Sequence, residues 1–363
     1  MSRRWYPFLL LVPLSIAAPR AGLPGWLVFF LSLGAVIPLA ALISAATEQA
    51  ALAKGPKVGG ILNATFGNVP DLLVGYFGVR EGLIDLVKAT LIGGVISNTG
   101  LIIGVSFFVA GIRHRYPRFD AREAGRHTVL MLLAVAGMLL LSIAAATSPR
   151  IRETEGLSIT VSVILLIAYL AYVAFSVFGI VGGTAVEPEK GESGRPAAEE
   201  AAPAEKESPR WSILRSGMVL FATTGALALV TDVLVSSVTP AVKALGWTEV
   251  FVGIVFVANA GNAAEFYTAV VMGLKGRLNL TLNVASGSSI QIAAFVTPLV
   301  VLISRAYHPM DLVFPTIELG IISVVVAIFA YISFDGETNW LEGLQLVAIY
   351  VMAAAVFFAL PGG

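Results

Sequence analysis

The chain is a series of apolar runs, most of them near 20 residues in length, separated by shorter polar segments. A helix needs about 20 apolar residues to cross a bilayer. Only 13% of the 363 residues are charged, whereas a soluble domain carries about 25%. A backbone in lipid must satisfy its own hydrogen bonds, and the short alternating segments of a β-barrel are not the pattern of this chain. The sequence therefore predicts an all-α polytopic membrane protein.

Eleven of the runs predict transmembrane helices. The predicted spans are 5–19, 25–46, 58–79, 84–111, 126–147, 156–182, 211–238, 247–273, 279–304, 313–333 and 340–360. The first has the weakest pattern, because Ser2-Arg3-Arg4 before a short apolar run also resembles a signal peptide. Whether residues 1–20 are retained stays open at this point.

Basic residues predict the orientation of the chain. With Met1 in the cytoplasm, 16 of the 23 Lys and Arg residues fall in loops on the cytoplasmic side. Cytoplasmic loops carry the excess of basic residues in membrane proteins, so we expect the amino terminus inside and the carboxyl terminus outside. The compact loops and the lack of an obvious transit peptide favour a prokaryotic plasma membrane.

One long polar stretch divides the chain. Residues 184–210 contain four prolines and seven glutamates, a composition typical of a flexible linker. The predicted organisation is an N-terminal transmembrane helix at 1–22, a first five-helix unit at 23–183, an acidic cytoplasmic linker at 184–210 and a second five-helix unit at 211–363.

The sequence lacks the residues that several classes of function require. The formal net charge of zero gives no electrostatic case for nucleic acid, and no cysteine is present. The three histidines, His114, His127 and His308, are predicted at or near span ends, which argues against a His-based zinc site. The chain has no nucleotide-binding loop and no Gly-x-Ser-x-Gly motif. We therefore expect a protein of the lipid bilayer that is not an enzyme and has no cofactor; a homo-oligomer is left open.

An internal repeat at a constant offset of 194 residues is the most informative feature. The segment Gly67 to Asp71 aligns with Gly261 to Glu265, and Ser97 aligns with Gln291 without a gap. The eighth span comes five spans after the third, and an odd offset means that the two copies cross the membrane in opposite directions. Inverted repeats are typical of secondary transporters, whose binding site lies at the midplane between the copies.

Each copy places an acid inside an apolar span. A carboxylate at the bilayer centre costs about 3 kcal/mol or more and is retained mainly where it lines a cavity or an ion path. Asn68 and Asp71 share a helix face, as do Asn262 and Glu265, because each pair is spaced i,i+3. The preceding glycines, predicted to break the helices and expose carbonyls, are Gly67 and Gly261. Two carboxylates, two amides and freed carbonyls form an all-oxygen site, which suits Ca²⁺.

The same acids predict proton coupling. Two unpaired carboxylates that face each other in a low-dielectric cavity tend to hold protons, which a bound cation would displace. We predict Asp71 and Glu265 as the cation- and proton-binding pair. Other polar residues of the spans are predicted to lie along the pathway or behind the ligands: Glu48, Ser97, Asn98, Asp232, Asn259, Ser288 and Gln291.

At these motifs the sequence resembles the calcium/proton exchanger family of the calcium/cation antiporter superfamily. The resemblance implies one extra N-terminal helix followed by two inverted five-helix repeats, and alternating access of Ca²⁺ and protons to the two motif acids. It rests on four stretches in order: Ala46-Thr47-Glu48, Leu62-Asn63-Ala64-Thr65-Phe66-Gly67-Asn68, Gly261-Asn262-Ala263-Ala264-Glu265 and Gly287-Ser288-Ser289-Ile290-Gln291.

Two residues depart from the family pattern and keep alternatives open. Asp71 stands where the family usually has Glu, and Phe266 where it commonly has His. Pro70 also removes a backbone donor next to the first acid. Ca²⁺/H⁺ exchange is the predicted function. The alternatives are exchange with Na⁺ as counter-ion, exchange of Mn²⁺ or Mg²⁺, and a channel or sensor that binds an ion without transporting it.

Overall fold

The computed structural model describes residues 3–148, 155–178 and 210–360. Its regular structure over these residues is helical, and no strand occurs there beyond an isolated bridge between Arg118 and Glu337. The all-α prediction is confirmed for this part of the chain. Nearly all of the predicted linker at 184–210 lies outside the described residues.

The described residues of the first half form seven α-helices. They are α1 (Leu11–Ala17, continuing a 3₁₀-helix over Arg3–Leu10), α2 (Gly25–Lys54), α3 (Pro56–Phe66), α4 (Val69–Glu81), α5 (Ile84–His114), α6 (Ala121–Thr147) and α7 (Glu155–Phe178).

The second half, after the linker, contains six. They are α8 (Ile213–Leu245), α9 (Glu249–Gly261), α10 (Ala263–Leu274), α11 (Leu278–Ser304), α12 (Thr316–Ile332) and α13 (Trp340–Ala359).

The number of spans that the described residues support is smaller than eleven. Seven helices are long and apolar enough to cross a bilayer, and the bent pair α9–α10 makes eight. The other three predicted spans correspond to shorter helices. At 5–19 the chain forms α1 and its 3₁₀ extension, at 58–79 the helix is interrupted between α3 and α4, and at 313–333 α12 has 17 residues.

Two helix breaks and three π-helical segments interrupt the spans. The chain leaves helical geometry at Gly67 and Asn68, and again at Asn262, where α9 and α10 meet at a bend of 63°. The π-helical segments are Ser97–Ile102 in α5, Val252–Val257 in α9 and Ile292–Val296 in α11. A π-helical turn leaves backbone groups outside the regular i→i−4 ladder and is frequent at functional sites.

Small residues let the inner helices approach one another closely. A Cβ on Gly93 of α5 would lie 2.5 Å from the Cα of Ile254 in α9, and one on Gly343 of α13 would lie 2.2 Å from the backbone nitrogen of Phe108. Helices in lipid associate through such close packing, since no hydrophobic gain drives it. These two contacts pack α5 closely against α9 and α13.

Candidate functional site

The two predicted acids occupy the same position after the two breaks. Asp71 is the third residue of α4 and Glu265 the third residue of α10, so both lie in the first turn of a helix that starts at a break. The free N–H groups of a helix amino terminus stabilise a carboxylate. Pro70, the second residue of α4, has no N–H, so the carbonyl of Phe66 is left without its i+4 donor.

The structure brings the two acids together. Asp71 is only 3% exposed, and its carboxylate is close enough to Glu265 to act on it electrostatically. A Cβ added to Gly261 would lie 3.3 Å from Asp71 Oδ1, so the break of the second half lies directly against the acid of the first. The two sequence copies therefore form one site.

Two polar atoms of this site have no hydrogen-bond partner among the described residues. Glu265 Oε2 and Asn262 Nδ2 are buried and make no hydrogen bond there. Because no hydrogen bond fixes the amide of Asn262, either its oxygen or its nitrogen can face the acids. Buried polar atoms without partners cost free energy, and a carboxylate oxygen in this position is a natural ligand for a cation or a proton.

A network of amides and hydroxyls surrounds the first break. Asn68 donates to Gln291 Oε1 and accepts from Ser288 Oγ at 3.0 Å, and Asn98 Nδ2 donates to the same Ser288 hydroxyl at 3.0 Å. These residues come from α5, α11 and the turn before α4. The network fixes the break of the first half against the middle of α11.

A second network lies on α9. Ser97 Oγ donates to Asn259 Oδ1 at 2.6 Å, while Asn259 Nδ2 donates to the hydroxyl of Tyr350 at 2.6 Å and to the Val255 carbonyl at 2.8 Å. Ser97 and Asn98, adjacent in one π-helical segment, thus bond to α9 and to α11, each of which carries residues close to a break.

Two predicted pathway residues lie outside these networks. Glu48 is exposed near the end of α2, and Asp232 of α8 forms an ion pair with Arg80 at 2.6 Å. No described hydrogen bond joins either of them to the acids. Their predicted part in the ion route stays a prediction.

Sequence reasoning missed one residue and misplaced another. Tyr350 was not singled out, since one tyrosine in an apolar span gives no distinctive signal. His127 was predicted at the end of a span starting at 126, but α6 begins at Ala121 and His127 is 4% exposed. The missed signal is a cap, because Asp120 accepts hydrogen bonds from the backbone N–H groups of the next turn.

The ligand types limit the chemistry of the site. Among the described residues no group of three or more His, Cys, Asp or Glu side chains could hold a metal ion. The two acids and their amides instead form a small oxygen-rich site that one hard cation, or protons, can occupy in turn.

Comparison with known proteins identifies the family. The family model described as sodium/calcium exchanger protein matches residues 24–178 and 216–359. The chain is 39% identical to the Ca²⁺/H⁺ antiporter of Synechocystis over 99% of this chain and 98% of that protein. It is 34% identical to the Ca²⁺/H⁺ antiporter ChaA of Bacillus subtilis, over 96% and 97%.

A solved structure has the same fold. Native YfkE, which is described as a Ca²⁺/H⁺ antiporter, superposes with a TM-score of 0.83 at 30% sequence identity and covers 99% of this chain and 100% of its own. The resemblance stated from the motifs is confirmed by matches that span nearly the whole chain. With one acid after each of two helix breaks and matches over nearly its whole length, this chain belongs to the sodium/calcium exchanger protein family, as a member of its calcium/proton exchanger branch.

Proposed function

We propose that this protein exchanges Ca²⁺ for protons across a membrane by alternating access. One observation carries the proposal: Asp71, which is buried, and Glu265, whose Oε2 is buried, each lie in the first turn of a helix that begins at a break inside an apolar span, and the second break lies against Asp71. The full-length similarity to proteins named Ca²⁺/H⁺ antiporters supports Ca²⁺ as the cargo.

The proposed cycle uses one site for two ions. Asp71 and Glu265 bind the cation, and the amides of Asn68 and Asn262, together with the carbonyls at the breaks, complete its shell. Protons that arrive on the acids release the cation. The protonated site is neutral, so the empty carrier reorients without moving unpaired charge through lipid.

Contacts that repeat across the two halves support the inverted-repeat layout. His114 lies 194 positions before His308, and each contacts the end of the acid-bearing helix of the other half. His114 Nε2 is 3.1 Å from the Leu274 carbonyl beside Gly276, and His308 Nδ1 is 3.1 Å from the Val79 carbonyl beside Gly82.

The glycines at these helix ends repeat as well. Gly82 and Gly276 are also 194 residues apart, and both have positive φ, of 77° and 71°. We therefore propose eleven membrane helices: the first at 1–22, five in 23–183 and five in 211–363, with a cytoplasmic amino terminus and a cytoplasmic linker at 184–210.

The topology has a direct test because the chain has no cysteine. Single cysteines at Ala198, in the linker, and at Tyr307, after α11, give clean probes for a membrane-impermeant maleimide on intact cells. We expect labelling of Tyr307→Cys without permeabilisation and of Ala198→Cys only after it. The reverse pattern would invert the proposed orientation.

The other parts of the proposal follow from the same site. Ser97, Asn98, Ser288 and Gln291 position the breaks, as their hydrogen bonds indicate. Bacterial relatives support a prokaryotic plasma membrane. Whether the transporter acts as a homo-oligomer is a matter for size measurement in detergent.

Calcium uptake into proteoliposomes with an imposed pH gradient tests the function. We expect uptake that follows the pH gradient with the voltage clamped, and its loss in Asp71→Asn and in Glu265→Gln. The matched control is Glu337→Gln, a half-exposed acid at a loop ion pair. Uptake that survives in both amide variants would refute the assigned site, while uptake of Mn²⁺ or Mg²⁺ alone, or exchange only against Na⁺, would refute the assigned ions.

A further inference from the structure

One buried histidine has no part in the cation site. His127 lies in the second turn of α6 and is hydrogen-bonded through both ring nitrogens. Its Nδ1 is 2.6 Å from Ser286 Oγ on α11, and its Nε2 is 2.9 Å from the hydroxyl of Tyr172 on α7. These three side chains, named here the histidine clasp, join three helices; His127 and Ser286 are buried, and Tyr172 is half-buried.

The clasp differs from the other two histidines of the chain. His114 and His308 contact backbone carbonyls at equivalent helix ends of the two halves. The position 194 residues after His127 is Ile321. His114 and His308 therefore have equivalent contacts at helix ends in the two halves. His127 has no histidine at the equivalent position of the other half.

The hydrogen bonds determine where the protons are. Ser286 Oγ lies 2.5 Å from the Leu282 carbonyl, which can only accept, and we assign its single hydrogen to that bond. It must then accept from His127, so Nδ1 carries a hydrogen. The lone pair of Nε2 accepts from Tyr172, and the neutral imidazole is in its Nδ1–H tautomer.

A second protonation state can also be fully hydrogen-bonded. When Nε2 gains a proton, it becomes a donor, and the hydroxyl of Tyr172 must accept from it. Tyr172 can do so because it is only half-buried, and its own hydrogen can turn towards Ser176, about one turn later on the same face of α7. Only the direction of one hydrogen bond reverses, so His127 can take up or release a proton without leaving a buried group unpaired.

Few charges face the clasp. On α6 they are Arg126, which opposes a positive imidazole, and Glu123, about one turn earlier. On α7 the titratable neighbours are Tyr169 and Tyr172. No residue of α11 is charged. The only acid of α12 is Glu318, which lies in the first turn of that helix and is close enough to Lys88 to interact with it electrostatically.

Helix α11 connects the histidine clasp to the candidate cation site. Ser288, two residues after Ser286, bonds with Asn68 and Asn98 at the first break, and Gln291 one turn later bonds with Asn68. A change in the bond at Ser286 therefore acts on the helix segment that holds the break in place. His127 touches neither acid in the described contacts.

We propose that His127 is a positioning residue that takes up and releases a proton during transport and transmits its charge state to the cation site through Ser286 and α11. The inference rests on the proposed exchange and adds a proton-binding residue to it.

The pH profile of transport tests the proposal. Calcium uptake by proteoliposomes is measured with the pH on the His127 side varied between about 4 and about 8, a range extended below that of a free imidazole because burial and Arg126 oppose the positive ring. We expect His127→Gln to retain uptake and lose most of the change in rate across this range. Normalised profiles of the controls His114→Gln and His308→Gln should match the wild type.

Two outcomes separate this proposal from the proposed function. Glu265→Gln should abolish uptake at every pH, whereas His127→Gln should alter only the profile. A His127→Gln profile that matches the wild type, or that is lower by one factor at every pH, would overturn the role of His127. If His127→Gln does not fold, Tyr172→Phe changes the same hydrogen bond and should also shift the profile.

A measurement without transport tests the clasp itself. With only three histidines, nitrogen-15 NMR of the full-length protein in detergent can assign each ring by using His114→Gln and His308→Gln. We expect the Nδ1–H tautomer at His127, titration within the transport pH range, and a changed midpoint in Tyr172→Phe. The Nε2–H tautomer, or no titration in that range, would overturn the proposal whether or not calcium is transported.

Discussion

A methyl group at Gly261 should weaken cation binding without unfolding the protein. A Cβ at this position would lie 3.3 Å from Asp71 Oδ1 and 3.6 Å from Pro70 Cβ. Gly261 does not have a positive φ, so alanine can adopt its backbone conformation. The added methyl therefore covers one side of a carboxylate oxygen and disturbs little else.

The expected magnitude follows from the loss of one polar partner of Asp71. Ca²⁺ takes six to eight oxygen ligands, including water, and a methyl beside Oδ1 blocks one direction of approach. A hydrogen bond to a charged group contributes about 1.5–3 kcal/mol. At about 1.4 kcal/mol for each factor of ten, Gly261→Ala should raise the apparent KM for Ca²⁺ by roughly 10- to 150-fold.

The assay is initial calcium uptake against calcium concentration at a fixed pH gradient. Gly320→Ala is the matched control, because Gly320 lies in α12 and a Cβ there meets nothing within 4 Å. We expect the control to keep the wild-type KM and both variants to keep the wild-type melting temperature. A KM for Gly261→Ala within about twofold of the control, a difference of under 1 kcal/mol, would refute the assignment of Asp71 Oδ1 as a ligand.

Two further substitutions test the frame around the site. Asn68→Leu leaves the buried Gln291 Oε1 without its donor and should destabilise the protein by about 1–3 kcal/mol, seen as a lower melting temperature in detergent; Thr65→Val, at an exposed hydroxyl, is its control. Gly343→Ala drives a Cβ to within 2.2 Å of the Phe108 nitrogen, and separating the two helices should cost about 1–3 kcal/mol. An unchanged melting temperature in either variant would contradict the packing described.

The sequence was sufficient to predict the parts of the site that repeat. The two acids, their amides and the breaks belong to a short sequence motif, and such a motif can be recognised without knowledge of the three-dimensional structure. Asp71 and Glu265 could be paired because the same spacing occurs twice. The structure adds that the break before Glu265 lies directly against Asp71.

The contacts that join distant helices could not be predicted. Asn68 and Gln291 are 223 residues apart, and Asn259 and Tyr350 are 91 apart. A single polar residue in an apolar span does not indicate which other helix it faces. The count of spans was also uncertain for a physical reason, since a break such as that at Asn68 divides one apolar run into two short helices.

The error in the predicted start of α6 explains why the burial of His127 was not predicted. Apolar periodicity starts the span at 126, whereas the Asp120 cap starts the helix at Ala121. The five extra residues place His127 inside the protein instead of at its surface. Capping residues should therefore be considered together with hydropathy when buried histidines are sought.

The central claim is that Ca²⁺ and protons compete for Asp71 and Glu265. It is tested most directly by adding Ca²⁺ to the purified protein in weakly buffered detergent solution and measuring the protons released. The account predicts that binding releases protons from the wild type and that the double variant Asp71→Asn, Glu265→Gln releases none. Calcium binding to the wild type without proton release, or undiminished release from the double variant, would contradict it.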